Sequence, residues 1–249
     1  MEGDIPFTFL IGSGMRALFL ITFFIFSFKS FSFTLNVVTE LFPAYQYLDK
    51  SGKLSGPTVE IVKNVLGHAN IDYKLTYEPW NITYNALKRN PDTCVFSIGR
   101  NNEREDMFNW VFPVGQFTSS FYALKSRNIN LEVLEDALKY RTAVIRNNFS
   151  HQYLKEHGFT EQYQLVVISS FNRVLEILET RKNQLDLVVL SDSQVQDASL
   201  NNKLMTHLEP VLQLDLQQNN MLYFACNKQV PDYIIKDLVQ SYDSLYKAK

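Results

Sequence analysis

Residues 96–113, FSIGRNNEREDMFNWVFP, pass from an apolar run through a charged loop into an aromatic segment. The apolar run at residues 93–98 predicts a buried strand. In both directions from this stretch, short apolar runs alternate with helical patterns almost to the end of the chain. Strands that alternate with helices of this length indicate an α/β fold with mostly parallel sheets.

Residues 35–66 illustrate the alternation. Residues 35–39, LNVVT, predict a strand, and Pro57 suits the first turn of a following helix. The apolar residues of that helix recur on one face, namely Val59, Val62, Val65 and Leu66. Further strands are predicted at residues 71–77, 119–124, 142–145, 164–168, 185–190, 211–214 and 221–226, and further helices at 80–88, 131–138, 150–156, 171–180 and 231–245.

Composition excludes several classes of protein. The 249 residues include 24 Lys+Arg and 26 Asp+Glu, for a formal net charge of −2, and 46% are hydrophobic. Near-neutral charge argues against a nucleic-acid partner, because phosphate neutralisation requires a basic face. The apolar content argues against disorder. A chain of this length suggests one large domain or two modest lobes.

The first 33 residues have the layout of a secretory signal peptide. Arg16 precedes an apolar run at residues 17–28, and Ser30 and Ser32 would suit cleavage near Phe33. These twelve residues, apolar except for Thr22 and Ser27, are too few for a transmembrane helix, which needs about 20. An uncleaved membrane anchor is the alternative. Acidic residues before Met15 are unusual in a signal, so Met15 is a candidate start.

The two cysteines, Cys94 and Cys226, each lie in an apolar run that predicts a buried strand. Export would permit a disulfide, and a bridge between the two is the alternative. We expect two separate buried thiols, and a fold that does not depend on disulfides.

Motifs of catalysis and metal binding are missing from the sequence after residue 33. The four histidines show no H-E-x-x-H spacing and no nearby cysteine pair, so no metal site and no cofactor are predicted. The G-x-S-x-G, P-loop and G-x-G-x-x-G patterns are absent as well. These absences argue against an enzyme without excluding one.

The stretch at residues 96–113 resembles the T-x-E-R-x-x-x-φ-x-F-S-x-P-Y segment of the extracytoplasmic solute-binding proteins of polar amino-acid transporters, family 3. Residues 101–104, NNER, supply its start, with Phe108 at the apolar position and Trp110 at the aromatic one. Residues 44–56 resemble the family's opening loop, and residues 183–192, NQLDLVVLSD, its G-R-x-D-A-x-x-x-D step. The carboxyl-terminal YFACNK followed by a helix is also similar.

The resemblance implies a two-lobed periplasmic binding protein-like fold of type II, α/β, with two crossing strands between the lobes. Residues 1–33 would be the signal, residues 34–123 and 217–249 lobe 1, and residues 124–216 lobe 2. It implies a periplasmic, monomeric protein that captures a small carboxylate-bearing solute, an amino acid or similar, by lobe closure. An inner-membrane permease or receptor would be its protein partner.

Arg104 matches the family's arginine, which holds the carboxylate of the solute. A guanidinium offers a two-pronged fork to a carboxylate. The alternative is a solvent-exposed ion pair between Arg104 and a neighbouring acid, Glu103, Glu105 or Asp106. Asn101 replaces the family's threonine just before this arginine. Its side chain has a different reach, so its contact with the carboxylate or amine of the solute would differ from that of the family.

In lobe 2, the family has a G-x-T turn at the start of a helix, where backbone N–H groups favour an anion. Here residues 146–150, RNNFS, lack the glycine, so Asn148 and Ser150 are the candidate contacts, with simple helix capping as the alternative for Ser150. The acidic residue that binds the amine in the family corresponds to Ser191 in this chain. The acidic side chain of this chain lies one residue later, at Asp192.

Three aromatic residues are candidates for the walls of the binding site, Tyr45, Trp80 and Phe117. Aromatic faces pack against apolar or cationic parts of a ligand, and core packing is the alternative for each. Two other functions share this fold class. One is a cleft enzyme of the cyclohexadienyl dehydratase type, and the other is an exported ligand sensor without a transport role.

Overall fold

The computed structural model describes residues 33–170, 173, 177, 180, 184–199, 205–216 and 220–247. The predicted signal, apart from Phe33, lies outside the described residues. Within the described part of the chain, no helix is both long and apolar enough to cross a membrane.

The first sheet has five strands in the order β4-β1-β5-β12-β6. β1 runs parallel to β4 and β5, whereas β12 is antiparallel to β5 and β6. We call this sheet and its helices lobe 1. Its strands are β1 Leu35–Thr39, β4 Tyr73–Tyr77, β5 Thr93–Gly99, β6 Phe108–Gln116 and β12 Met221–Asn227, and its helices are α1 Pro57–His68, α2 Trp80–Arg89 and α5 Asp232–Tyr246. A small hairpin joins β2 Tyr47–Leu48 to β3 Leu54–Ser55.

The second sheet has the order β11-β7-β10-β8-β9, and we call it with its helices lobe 2. β8 is parallel to β9 and β10, and β7 is antiparallel to β10 and β11. Each sheet therefore has as many antiparallel as parallel pairings, so the expectation of mostly parallel sheets is wrong. The elements are β7 Ser119–Leu124, β8 Thr142–Ile145, β9 Leu165–Ile168, β10 Leu187–Ser191, β11 Leu208–Gln213, α3 Phe149–Glu156 and α4 Asp192–Ser199.

The chain passes between the sheets twice. The Phe117 N–H donates to the Asn220 carbonyl oxygen at 2.8 Å, and the Leu214 N–H donates to that of Ser119 at 2.8 Å. The first passage lies before β7, so residues 119–123, which the sequence assigned to lobe 1, belong to the second sheet.

Amphipathic patterning accounts for the packing of the helices. Val59, Val62, Val65 and Leu66 of α1 are all fully buried, as the sequence predicts. All seven residues of β5 are buried, which is typical of a central strand covered on both faces.

Cys94 and Cys226 form a disulfide, so the expectation of two separate thiols is wrong. The two residues are direct partners on the antiparallel strands β5 and β12, with Cα atoms 3.9 Å apart. They are 132 residues apart in the chain. Their meeting depends on the register of a strand that returns from lobe 2, and local sequence patterns do not encode that register.

Candidate functional site

A cleft with about 510 Å³ of empty space, including the part open to solvent, lies between the two lobes. Both lobes contribute to its walls. Its lining residues are Glu40, Phe42, Trp80, Ser97, Gly99, Arg104, Phe117, Ser119, Ile145, Asn148, Phe149, Ser150, Val189, Leu190, Ser191, Gln194 and Leu222.

Most of the predicted site residues line this cleft. They are Arg104, Trp80, Phe117, Asn148, Ser150 and Ser191. Tyr45, Asn101 and Asp192 do not line it. Tyr45 packs on Phe42, with ring centroids 4.6 Å apart, and its hydroxyl donates to the Gln116 carbonyl oxygen at 2.8 Å.

Asn101 and Asp192 are engaged by other protein groups. The Asn101 side-chain amide donates to Gln152 Oε1 at 3.1 Å, which links the two lobes beside the cleft. The Asp192 carboxylate accepts a hydrogen bond from the Tyr122 hydroxyl at 2.7 Å. Ser191, and not the carboxylate that follows it, therefore faces the cleft where the family has its amine-binding acid.

Arg104 is completely buried. Its Nη1 donates to the Gly99 carbonyl oxygen at 2.6 Å and its Nη2 to the Asn147 carbonyl oxygen at 2.8 Å, so one guanidinium joins the two lobes. Its Nε is buried without a hydrogen-bond partner. Burial lowers the pKa of Arg104 below its ordinary value. The arginine is therefore fixed in place and still has a donor to offer.

An exposed ion pair is the alternative role that the sequence offers for Arg104. In the structure Arg100 makes that pair, and Arg104 does not. Glu105 pairs with Arg100, whose guanidinium also lies over the Trp110 ring at 5.4 Å. Arg104 instead lies over the rings of Trp80 and Tyr84, at 5.6 Å and 5.1 Å from their centroids. Aromatic faces attract a cation that has lost its water.

The turn before α3 closes the cleft from the lobe 2 side. Asn147 has φ 57°, a left-handed conformation that asparagine tolerates better than most residues, and it takes the place of the missing glycine. Its carbonyl oxygen accepts hydrogen bonds from Arg104 and, at 2.7 Å, from Trp80 Nε1. Asn148 is the cap residue of α3, so Ser150 lies inside the first turn and is not the cap.

We predict that Asn147→Ala lowers the free energy of unfolding by about 1–2 kcal/mol, because alanine is strained in the left-handed region. Asn147→Gly has no such strain and is expected to remain within about 1 kcal/mol of the parent. Urea denaturation of both variants measures the difference. Equal stability of the two would show that the turn can relax out of this conformation.

Phe149 fills the space that the family leaves for a small residue. A Cβ atom built on Gly99 would lie 2.8 Å from Phe149 Cδ2, so a larger residue at position 99 would force the Phe149 side chain to shift. The Phe149 ring also meets Phe117 edge-on, at 5.4 Å between centroids.

Glu40 is a cleft residue that sequence reasoning missed. Burial of its carboxyl raises the pKa to about 8, although the nearby Arg104 cation lowers it in part. Glu40 directly follows β1, at the carboxyl end of a strand that is parallel to both neighbours. Ligands bind at that end in open α/β sheets, and this position was the available signal. Ser97, in β5, was also missed.

The cleft offers one acid, one base, hydroxyls, amides and aromatic rings, and its described lining includes neither histidine nor cysteine. Within the described ranges, no group of three or more His, Cys, Asp or Glu residues could hold a metal ion. Such a set of side chains suits the reversible capture of a small polar solute.

Comparisons with known proteins agree with this geometry. The model of the bacterial extracellular solute-binding proteins, family 3, matches residues 35–229. Comparison with the curated proteins yields no matching relative.

Solved structures share the fold at low sequence identity. An ancestral arginine-binding protein bound to arginine is 17% identical, with a TM-score of 0.72 over 87% of this chain and 93% of that one. A histidine kinase sensor domain with similarity to periplasmic binding proteins is 19% identical, with a TM-score of 0.73 over 86% and 90%. The arginine-, lysine-, histidine-binding protein ArtJ from Geobacillus stearothermophilus is 16% identical, with a TM-score of 0.69 over 86% and 90%.

Proposed function

Because the chain belongs to the bacterial extracellular solute-binding proteins of family 3, we propose that it captures a small carboxylate-bearing solute, an amino acid or similar, by closure of its two lobes. The observation that carries the proposal is the buried Arg104, whose Nε has no partner inside a cleft lined from both lobes. A buried donor without a partner is costly, and a carboxylate oxygen of the solute would satisfy it.

The protein prepares Arg104 for this contact. Gly99, in the same lobe, holds one terminal nitrogen and so orients the guanidinium before the lobes close, and Asn147 of lobe 2 holds the other once they have closed. The hydroxyls of Ser150 and Ser191 add donors from lobe 2. Preorganised donors lose little conformational entropy on binding, which increases affinity.

Cross-lobe contacts would hold the closed state around the solute. The Asn147 carbonyl receives Arg104 and Trp80 from lobe 1, and Gln152 bonds to both Asn101 and Glu103. Closure excludes water, so charge-assisted hydrogen bonds discriminate strongly against analogues that lack the matching group.

We further propose that residues 1–33 are a cleaved signal and that the mature protein is a periplasmic monomer. It would deliver its solute to an inner-membrane permease or a receptor. Two of the similar structures carry arginine-binding names, which makes basic amino acids natural first probes.

A thermal-shift and calorimetry screen of residues 34–249 tests the function. The panel contains the twenty L-amino acids, amine-free carboxylates (succinate and glutarate) and carboxylate-free amines (putrescine, agmatine and choline). We expect at least one carboxylate-bearing probe to raise the melting temperature and to bind with one-to-one stoichiometry. Binding of carboxylate-free amines alone, or of nothing in the panel, would overturn the proposal. Mass spectrometry of the recovered probe distinguishes a binder from an enzyme, because a binder returns its ligand unchanged.

A further inference from the structure

His151 is a buried histidine of lobe 2 that lies behind the cleft and not in its lining. Its Nδ1 accepts a hydrogen bond from the backbone N–H of Asn147 at 3.1 Å, and its Nε2 lies 3.2 Å from Glu161 Oε1. Because Nδ1 is an acceptor, the neutral ring carries its proton on Nε2 and donates it to Glu161. Both ring nitrogens are therefore engaged by lobe 2.

The bond from Asn147 to His151 resembles one half of a capping box. In that motif, a Glu or Gln at the third helical position accepts from the backbone N–H of the cap residue. His151 is the third residue of α3, and it accepts from the residue just before the cap. A glutamine oxygen is an acceptor at every pH, whereas both ring nitrogens of a protonated histidine are donors. Acid can therefore break this bond.

Asn147 also joins the two lobes. Its carbonyl oxygen accepts from Arg104 Nη2 at 2.8 Å and from Trp80 Nε1 at 2.7 Å, and we call these two bonds the Asn147 joint. The direction of this carbonyl depends on the left-handed backbone of Asn147, with φ 57°. Such a conformation persists only where the surroundings over-determine it. The N–H bond to His151 is one of the contacts that hold it, so His151 is coupled to the Asn147 joint through a single residue.

The surroundings of His151 favour its neutral form. Burial of the ring lowers the pKa of His151 below its ordinary value, and Glu161 opposes this effect in part. The cations Lys155 and Arg146 lower the pKa further. A positive charge in the first turn of a helix is also disfavoured by the helix dipole. His151 is therefore neutral at pH 7, and it takes up a proton only in more acidic solution.

We propose that neutral His151 positions Asn147 for lobe closure and that protonation of His151 opens the cleft. The inference rests on the proposed function, because opening releases a solute only if closure captures it. In the open state, the Asn147 turn can relax around a protonated ring without breaking any bond to lobe 1. In the closed state, the same relaxation breaks the Asn147 joint. The closed protein therefore binds this proton less readily, and the proton competes with the solute.

The sign of the pH dependence follows from linkage. Because the pKa of His151 is lower in the closed state, closure releases a proton, and the affinity for the solute falls as the pH falls below about 6.5. One proton gives a slope of at most about tenfold per pH unit. Glu40 acts in the opposite sense, since burial raises its pKa to about 8. The contribution of His151 is therefore measured as the difference between the parent and a His151 variant.

Two substitutions separate the acceptor from its titration. His151→Asn keeps an acceptor oxygen close to the position of Nδ1 and does not titrate. His151→Leu removes the acceptor at every pH. His68→Asn is the matched control, because His68 is an exposed histidine in the last turn of α1.

Trp80 reports on the Asn147 joint without any probe. The chain has two tryptophans, so Trp110→Phe leaves Trp80 as the single emitter. Between about pH 7.5 and about pH 5, we expect the emission maximum of Trp80 to shift to the red as the cleft opens. The shift should vanish in His151→Asn, persist in His68→Asn, and be present already at about pH 7.5 in His151→Leu. A parent without this shift, or a shift that persists in His151→Asn, overturns the inference.

Calorimetry over the same pH range measures the affinity for the tightest probe of the panel. Relative to His151→Asn, we expect the parent to lose at least about fivefold in affinity on acidification, the lower end of typical coupling between sites. A merely structural role of His151 would lower the melting temperature of both variants and leave the pH profiles of the parent and His151→Asn parallel. Parallel profiles overturn the inference and leave the Arg104 proposal standing. If no probe binds, the proposed function fails, and the Trp80 emission profile decides whether protonation opens the lobes.

Discussion

Arg104→Met will weaken the binding of carboxylate-bearing probes at least about 100-fold, a loss of about 2.7 kcal/mol, while the protein still folds. The arginine is fully buried, and its unpartnered Nε is the donor reserved for the solute. Methionine has a similar volume, and the Asn147 carbonyl keeps its hydrogen bond from Trp80, so we expect the lost bonds of Arg104 to lower the free energy of unfolding by only about 1–3 kcal/mol. Binding and stability should therefore separate in this variant.

Calorimetry with the tightest probe of the panel measures the affinity, and thermal unfolding without a probe measures the stability. Arg89→Met is the matched control, because Arg89 is an exposed residue at the end of α2. A probe that binds Arg104→Met as tightly as the parent would remove Arg104 from the site. Arg104 would then serve only to join the lobes through Gly99 and Asn147.

Removal of the disulfide, with Cys94→Ala and Cys226→Ala together, will lower the free energy of unfolding by about 2–5 kcal/mol. The crosslink closes a segment with a sequence separation of 132, for which the chain-entropy model gives about 5 kcal/mol. Urea denaturation of the parent and the double variant, each without reductant, measures the effect. A difference below about 1 kcal/mol would show that the paired strands hold this register without the bond.

Sequence patterns predict the elements of this fold well, because helix and strand periodicities are local. The buried face of α1 and the position of β1 follow from residues 35–66 alone. Resemblance adds the two-lobed arrangement. Whether neighbouring strands pair in parallel or antiparallel could not be predicted in this way. β12 returns from lobe 2 and inserts between β5 and β6, and no local sequence pattern encodes that insertion.

The candidate site was predictable at its anchors and not in its details. Arg104 and Trp80 lie in the cleft as expected, because motif spacing fixes which strand end carries them. Asp192 was not predictable, because its partner Tyr122 lies 70 residues away on another strand. Glu40 was missed because the raised pKa of its carboxyl comes from burial, and that burial depends on the assembled cleft.

The covalent link between β5 and β12 also decides how the molecule carries load. A pull applied at residues 34 and 247 runs through Cys94 and Cys226 and bypasses every residue between them. All of lobe 2 lies inside that bypassed segment. Lobe 2 can therefore open, unfold or be cut by a protease once while the two halves of lobe 1 stay joined. The cleft therefore lies between lobe 2, which carries none of this load, and lobe 1, whose two halves are joined by the disulfide.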